Sequence, residues 1–254
     1  MKSQADSSPI PSKEWFINKG VENVEYFIFK NIDSREVKGL IVSELPPITK
    51  PKMRVRIDTI DGKDGSETVN LGFEAYTKTL KIGLTRGYDI DNIIAWLHGE
   101  GDIQFSNEPD KLYRVKVHDA IDFERLLRFR TADVKFYTQP FKYSATERTK
   151  TLAVAGQTTA EIRNAGNYFA KPTITFTGTG TVNISVNGAQ KCVLNLGTDE
   201  SITLDTDKQE AYTGNTLKNR QMDGEFITLE TGKNTITWTG NLSKIEITQY
   251  SRWL

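Results

Sequence analysis

Several features that mark whole classes of protein are missing from this 254-residue chain. Its only cysteine is Cys192, so neither an internal disulfide framework nor a thiolate metal cluster can form. The chain has no apolar run long enough to span a membrane, and its N-terminal part lacks an apolar segment of signal-peptide length. We therefore expect a soluble protein made in a reducing compartment, with Cys192 buried as a small hydrophobic residue.

An excess of one charge is missing as well. The 33 Lys and Arg residues equal the 33 Asp and Glu residues, and the two signs balance again on each side of residue 145. Sequence-independent binding to nucleic acid depends on basic side chains that neutralise phosphates. Neither half is therefore a basic nucleic-acid binder, and we expect no sequence-specific nucleic-acid contact and no membrane insertion.

Motifs for catalysis and ligand binding are scarce. The two histidines, His98 and His118, have no nucleophile or carboxylate partner in a recognisable motif, and His98 suits the C-terminal end of a helix. No phosphate-binding glycine loop is present. Acidic residues cluster near residue 61, but their spacing does not match a helix–loop–helix calcium site. They are Asp58, Asp61, Asp64 and Glu67. We expect no enzymatic activity, no cofactor and no metal.

Acidic and aromatic residues of the C-terminal half suggest two further functions. A glycosidase needs two carboxylates that face each other across the substrate, and exposed aromatic rings can stack on sugars. A solvated strand edge or core burial explains the same residues, and we expect Trp238 in the core and Trp253 packed back onto its domain. The carboxylates are Glu200, Asp205, Asp207 and Glu210, and the aromatic residues are Tyr212, Trp238, Tyr250 and Trp253.

The chain up to residue 145 alternates between strand and turn signals. Residues 1–14 are polar with two prolines, and we expect residues 1–25 to form a flexible N-terminal arm. The run MRVRIDTI alternates in polarity, which predicts a half-buried strand, and YTKTLKIGL is its simplest partner. One short helix is predicted between Asp91 and Leu97, capped by Asp89 or Asp91, with Gly99 at the left-handed C′ position.

The stretch FSNEPDKLYRV, residues 105–115, predicts a hairpin. Pro109 presets its own φ angle, and Asn107 and Asp110 can bond their own backbone. We expect the acidic tip to be exposed, near a subunit boundary. The run RFRTADVKFYTQP predicts another strand that stops before Pro140, so that the first half is mostly antiparallel sheet with one helix.

After residue 145 the helix signal disappears. Strand-like runs recur with turns between them, and Asn187-Gly188 is the strongest hairpin signal in the chain. Eight or so short strands without a helix predict a β-sandwich over residues 146–254. The runs are TTAEIRN, PTITFTG, TVNISVN, KCVLNL, SITLDTD, EFITLET, NTITWTG and SKIEITQ.

In their order and spacing, these segments resemble the distal tail protein (Dit) family of long-tailed bacteriophages and prophages, from about Phe27 to Trp253. One departure is the loop Gly62-Lys63-Asp64-Gly65, where the family usually has GRDG. Lys63 keeps the positive charge of the arginine but lacks its planar fork of donors, so a bidentate contact made by that arginine would be weaker here. The segments that carry the resemblance are FIFKNIDS, LIVSELPPI, IDTIDGKDG, EAYTKTLKIGL, IIAWLHGEG, FSNEPDKLYRVKV, FYTQPFKY, ITLDTDKQEAY, GEFITLETGKNTITW and the final RW.

The resemblance implies a non-enzymatic structural protein of the virion tail tip. Six copies would form a ring that joins the tail tube protein to the tail-tip hub, with its lysin or fibre, and to receptor-binding proteins. Residues 26–145 would be a tail-tube-like ring domain, and residues 146–254 a galectin-like or carbohydrate-module-like sandwich. The alternative is a carbohydrate-binding adhesin module that uses the sandwich to bind cell-surface glycans.

Overall fold

The computed structural model describes residues 24–254 and shows a mainly β protein with two large antiparallel sheets and a separate two-stranded hairpin. Most of the expected N-terminal arm, residues 1–25, lies outside the described residues. Each large sheet buries its own hydrophobic cluster.

The first sheet has the strand order β2-β1-β7-β8-β9-β6-β3, and β18 pairs with β9. One face is buried because apolar residues alternate along the strands, as Leu80 and Ile82 do in β6 and Val134 and Phe136 in β9. Its strands are β1 (Phe27–Phe29), β2 (Ile32–Asp33), β3 (Leu40–Glu44), β6 (Tyr76–Leu84), β7 (Gly99–Phe105), β8 (Lys111–Val117), β9 (Thr131–Ser144) and β18 (Arg252–Trp253). The predicted hairpin of β7 and β8 is confirmed.

Two helices contribute to the core of the first sheet, not one as predicted. Helix α1 (Ile90–Trp96) is capped by Asp89, whose side chain accepts a hydrogen bond from Asn92 N at 3.2 Å. Gly99 has a left-handed φ of 74°, but it lies one residue beyond C′, because Leu97 is the C-cap.

The second helix, α2 (Phe123–Phe129), overlaps the start of the run interpreted as a strand. Its apolar residues Phe123, Leu126 and Leu127 recur at i, i+3 and i+4, and Asp122 caps its N-terminus, but seven residues are too few for this pattern to outweigh the strand-like sequence that follows. Strand β9 also continues through Pro140, which was predicted to end it. The proline is tolerated because the β8–β9 register shifts there and β6 begins with Tyr76 opposite Thr138, so Pro140 has no ladder partner.

The hairpin formed by β4 (Met53–Asp58) and β5 (Glu67–Phe73) corrects another prediction. The partner of β4 is β5, whereas YTKTLKIGL forms β6 and pairs with β3 and β9. Nearly every residue of β4 and β5 is exposed, so β4 is not half-buried as its alternation suggested. Alternation of polarity shows that a strand has two different faces, but it does not show what covers either face.

The second sheet has the strand order β10-β17-β12-β13-β14-β15, with β11 on β17 and β16 on β13. Six of the eight predicted short strands are halves of three long ones. A 3-10 turn spans Asn219–Gln221. The strands are β10 (Lys150–Ala153), β11 (Thr159–Asn164), β12 (Thr173–Val186), β13 (Ala189–Asp205), β14 (Glu210–Thr213), β15 (Thr216–Leu217), β16 (Met222–Gly224) and β17 (Gly232–Thr248).

The three long strands bend where glycine interrupts them. The β12–β13 register shifts between Gly178 and Gly180, and a Cβ atom on Gly178 would overlap the carbonyl oxygen of Asn241 in β17. The two halves of the bent ribbon share one core, which contains Phe176 from one half and Ile184 from the other. This two-layered arrangement is a β-sandwich whose layers share continuous strands.

Two turn predictions in this region have opposite outcomes. The Asn187-Gly188 turn is confirmed, because both residues have positive φ angles, of 53° and 83°, between the paired residues Val186 and Ala189. The run EFITLET is wrong as a strand: within it only Leu229 makes an isolated bridge, to Ala170.

Candidate functional site

The two histidines lie at the same end of the β7–β8 hairpin, next to the directly opposed residues Gly99 and Val117. Both side chains are exposed. The His118 ring lies 5.5 Å from the ring of Tyr137. The interaction of the His98 side chain with the C-terminal carbonyl groups of the helix stays a prediction. Among residues 24–254, no three His, Cys, Asp or Glu side chains are grouped to hold a metal ion.

Three of the four C-terminal carboxylates have structural partners. Glu200 forms an ion pair with Lys218 at 2.9 Å, and this contact lowers the pKa of its carboxyl group. Asp205 accepts hydrogen bonds from the backbone N–H groups of residues 207 and 208, both at 3.1 Å. Asp207 pairs with Arg114, on the first sheet, at 3.3 Å.

The aromatic and cysteine predictions are mostly confirmed. Trp238 is buried in the core of the second sheet, and its Nε1–H has no hydrogen-bond partner among the described residues. Cys192 is buried too, and burial raises the pKa of its thiol to about 12. Trp253 packs back, but onto the first sheet, where Lys111 Nζ lies 4.1 Å from its ring centre. Tyr212 is half-buried and directly opposite Thr203.

The exposed hairpin of β4 and β5 forms a sheet of its own, and we call residues 53–73 the arm. Val55 and Ile57 lie on one face, opposite Asn70 and Thr68. Strand β5 places its apolar residues on the other face, because Val69 lies opposite the charged residue Arg56. Each face of the arm therefore combines apolar and polar side chains. The exposed apolar residues are Met53, Val55, Ile57, Ile60, Val69 and Leu71.

Charged residues of the arm mostly pair within it. Arg56 pairs with Asp58 at 3.1 Å, and Lys63 of the GKDG loop pairs with Glu67 at 2.5 Å. Two members of the acidic cluster considered for calcium therefore have basic partners. Exposed ion pairs of this kind contribute little to stability, so the arm depends on its backbone pairing and its attachment to the rest of the chain.

A buried arginine joins the two sheets near Phe73, the last residue of the arm. Arg252, in β18, is 3% exposed, and its guanidinium lies 3.9 Å from the ring centre of Phe141 in β9. Its Nε donates a hydrogen bond to the carbonyl of Phe169 at 2.9 Å. Phe73, the last residue of the arm, packs against Phe141 and Tyr168 with ring centres 5.6 and 5.7 Å apart. We call these five residues the joint.

Further contacts reinforce the joint. Arg114 of the first sheet donates to Gln249 Oε1 at 2.7 Å. Glu147, in the segment between the sheets, accepts a hydrogen bond from Ser251 N at 3.2 Å, and burial raises the pKa of its carboxyl group. The C-terminal residues thus tie the second sheet to the first. Sequence periodicity could not have found this site, because β18 has only two residues.

The tip of the β7–β8 hairpin differs from its prediction. Asn107, Pro109 and Asp110 are exposed, but the side chain of Glu108 is 14% exposed and turns inward. It forms an ion pair with Lys142 of β9 at 2.8 Å and accepts a hydrogen bond from the hydroxyl of Tyr113. The expected acidic, solvent-facing tip is therefore wrong for Glu108.

No family model matches the chain, and no curated protein matches it by sequence. Solved structures do match. The Dit (gp 19.1) protein of SPP1, described as a paradigm of the hub adsorption apparatus in phages that infect Gram-positive bacteria, superposes with a TM-score of 0.66 at 16% sequence identity. The superposition covers 91% of this chain and 100% of that chain. The chain has the distal tail protein fold.

Two baseplate structures of phage P2 in its activated conformation, with Ca and with Sr, match more weakly. Their TM-scores are 0.46 and 0.47 at 10% identity, and they cover 91% and 88% of this chain and 98% and 97% of the matched chains. Within the distal tail protein fold, two segments of the sequence resemblance meet, because PFKY in β9 pairs with the final RW in β18.

No helix among the described residues has the length and apolarity to cross a membrane.

Proposed function

We propose that the chain is a structural distal tail protein of a long-tailed bacteriophage. Six copies form a ring at the tail tip that joins the tail tube to the tail-tip hub and the receptor-binding apparatus. Residues 26–145 form the ring, and residues 146–254 form an outer galectin-like sandwich. The observation that carries the proposal is the superposition on SPP1 Dit, because it covers 91% of this chain and all of that chain. The role is mechanical and needs no catalytic residue.

The arm supports self-association. A closed ring with one type of contact needs two different, complementary surfaces on each subunit. The arm exposes apolar side chains on both faces, with Ile57 61% exposed. Apolar residues concentrated on an exposed hairpin are typical of a surface that becomes buried in an assembly. The neighbouring subunit is the partner that the ring proposal supplies.

The ring is tested by measuring molecular mass in solution for the wild type and for the double variant Val55→Asp, Ile57→Asp. We expect the wild type at six times the 28.7 kDa of one chain, or at two stacked rings, and the double variant as a monomer. Two charges on an apolar interface oppose its desolvation. The monomer should keep its fold, because both positions are exposed within one chain, but its thermal midpoint should be lower than that of the ring, because assembly stabilises the folded chain.

The control is Leu217→Asp in the second sheet, since Leu217 is 63% exposed and lies outside the arm. This variant should retain the mass of the wild type. A wild-type chain that stays monomeric both alone and with purified tail tubes contradicts the ring. An assembly that survives the arm substitutions shows that the arm is not its contact.

One observation favours a second candidate, a carbohydrate-binding adhesin module. The outward face of the second sheet carries a row of hydroxyl groups, in which Thr175 Oγ1 lies 2.9 Å from Thr203 Oγ1, and Tyr212 continues this row. Trp238 is buried and does not reach this face. The adhesin candidate therefore requires glycan-array binding that Tyr212→Ala abolishes, whereas the structural role requires no glycan binding.

A further inference from the structure

We propose that the root of the arm, residues 46–52, is a strap closed over the buried ammonium group of Lys78, and that a protonated Lys78 favours opening of this strap. The proposal concerns the root of the arm within a single chain. It rests on the proposed function only in that the arm is taken as the contact between ring subunits. The root is the segment between β3 and the arm.

Two side chains of the first sheet hold successive carbonyl groups of the root. Lys78 Nζ donates to the carbonyl of Pro47 at 2.8 Å, and Asn107 Nδ2 donates to the carbonyl of Pro46 at 3.1 Å. A proline has no N–H group, so neither residue can donate a backbone hydrogen bond of its own. The root is also held at its other end, where Glu74 N donates to the carbonyl of Lys52 at 2.8 Å, so it stays attached to the chain without the Lys78 contact.

The ammonium group of Lys78 lies among aromatic rings. The residue is 3% exposed, and Nζ is 4.7 Å from the ring centre of Tyr113 and 5.8 Å from those of Tyr76 and Phe105. Ring faces attract a cation, but they do not replace the water that an ammonium group loses on burial. Hydration of Lys78 is therefore a driving force for moving whatever covers it.

The charges that face Lys78 come from two other elements. Glu108, at the β7–β8 tip, is attractive, and Lys142, in β9, is repulsive. Because Lys142 and Glu108 already pair at 2.8 Å, the buried group has two cations and one carboxylate. Tyr76, the remaining titratable side chain on β6 near the site, has its pKa raised by burial to about 12 and stays neutral below that pH.

Burial, and then the repulsion by Lys142, lower the pKa of Lys78 from 10.5 to about 8, against the attraction of Glu108. Opening of the strap would hydrate the amine and return its pKa towards 10.5. The open strap therefore binds a proton more tightly than the closed strap. By linkage, the cost of burying the charge is fully present below about pH 8 and falls as the pH rises towards 10.5.

The test follows hydrogen exchange of residues 48–60 from pH 7 to pH 10.5, corrected for the intrinsic exchange rate. It uses the full chain carrying Val55→Asp and Ile57→Asp, so that a failure of the ring proposal does not affect it. In this double variant, which retains Lys78, we expect the equilibrium constant for opening of the strap to fall as the pH rises from about 8 towards 10.5. The fall should be at most about tenfold for each pH unit.

Lys78→Met in the same background should be more protected than its parent at pH 7 and should lose the pH dependence. The matched control is Lys81→Met on the same strand, because Lys81 is exposed and pairs with Glu44 at 2.6 Å. It should keep the profile of the parent. A pH-independent opening constant in the parent, or a loss of protection in Lys78→Met, overturns the proposal, because either result makes Lys78 a simple tether. If Lys78→Met does not fold, the pH profile of the parent alone decides.

Discussion

Gly166→Ala is expected to displace the C-terminal strand from the joint and to lower the free energy of unfolding by about 3 kcal/mol. A Cβ atom on Gly166 would lie 2.6 Å from the carbonyl carbon and 2.7 Å from the nitrogen of Arg252, and it would overlap the carbonyl oxygen. The neighbouring backbone cannot retreat cheaply, because Tyr168 N donates to this carbonyl oxygen at 3.2 Å. The added methyl group must therefore separate the strand or distort it.

Denaturant unfolding measures this loss of stability, and limited proteolysis near residue 250 detects release of the C-terminal strand. The control is Gly197→Ala, since the nearest atom to a Cβ there is the side-chain Oε2 of Glu200, at 3.1 Å, which can move. We expect the control to change stability by less than about 1 kcal/mol. Equal effects of the two substitutions would show that the joint does not constrain the fold.

Trp238→Ala is expected to lower the free energy of unfolding by about 3–5 kcal/mol, because it removes a large buried side chain and leaves a cavity in the second sheet. Trp238→Phe should cost less. It loses part of the indole, but it also removes a buried N–H group that has no partner among the described residues, and such a group costs about 1–3 kcal/mol.

The comparison is Tyr212→Ala, a half-buried aromatic residue near the sheet edge, which we expect to lose about 1 kcal/mol. Urea unfolding at equal slope compares the three variants. If Trp238→Ala and Tyr212→Ala were equally destabilising, Trp238 would not be part of the core. If Trp238→Phe were as destabilising as Trp238→Ala, the unpaired N–H group would not explain its cost.

Local patterns predicted the elements whose signals lie within a few residues. Helix α1 was found because Asp89 caps it and its apolar residues recur every three or four positions. The Asn187-Gly188 turn was found because asparagine and glycine tolerate positive φ angles. Helix α2 was missed although Phe123, Leu126 and Leu127 follow helical spacing, because a pattern of seven residues is too short to outweigh the strand-like sequence after it.

Which strands pair with each other could not be predicted in the same way. YTKTLKIGL looked like the partner of β4 because both runs alternate, but register is decided by the faces that become buried together. Gly178 was predicted to end a strand, whereas in the structure it lies within the continuous strand β12, where the register shifts. Glycine permits a break, a bend or a bulge, and the approach of Asn241 determines which of these forms.

The sequence by itself determined a mainly β chain with two strand-rich halves, a buried Cys192 and a resemblance to distal tail proteins. These properties follow from residue type and short-range spacing. Only the tertiary structure decided that the arm stands apart from the sheet, that Arg252 joins the two sheets and that Glu108 and Lys78 turn inward. Each of these depends on residues far apart in the chain, and their contacts arise from the packing of whole elements.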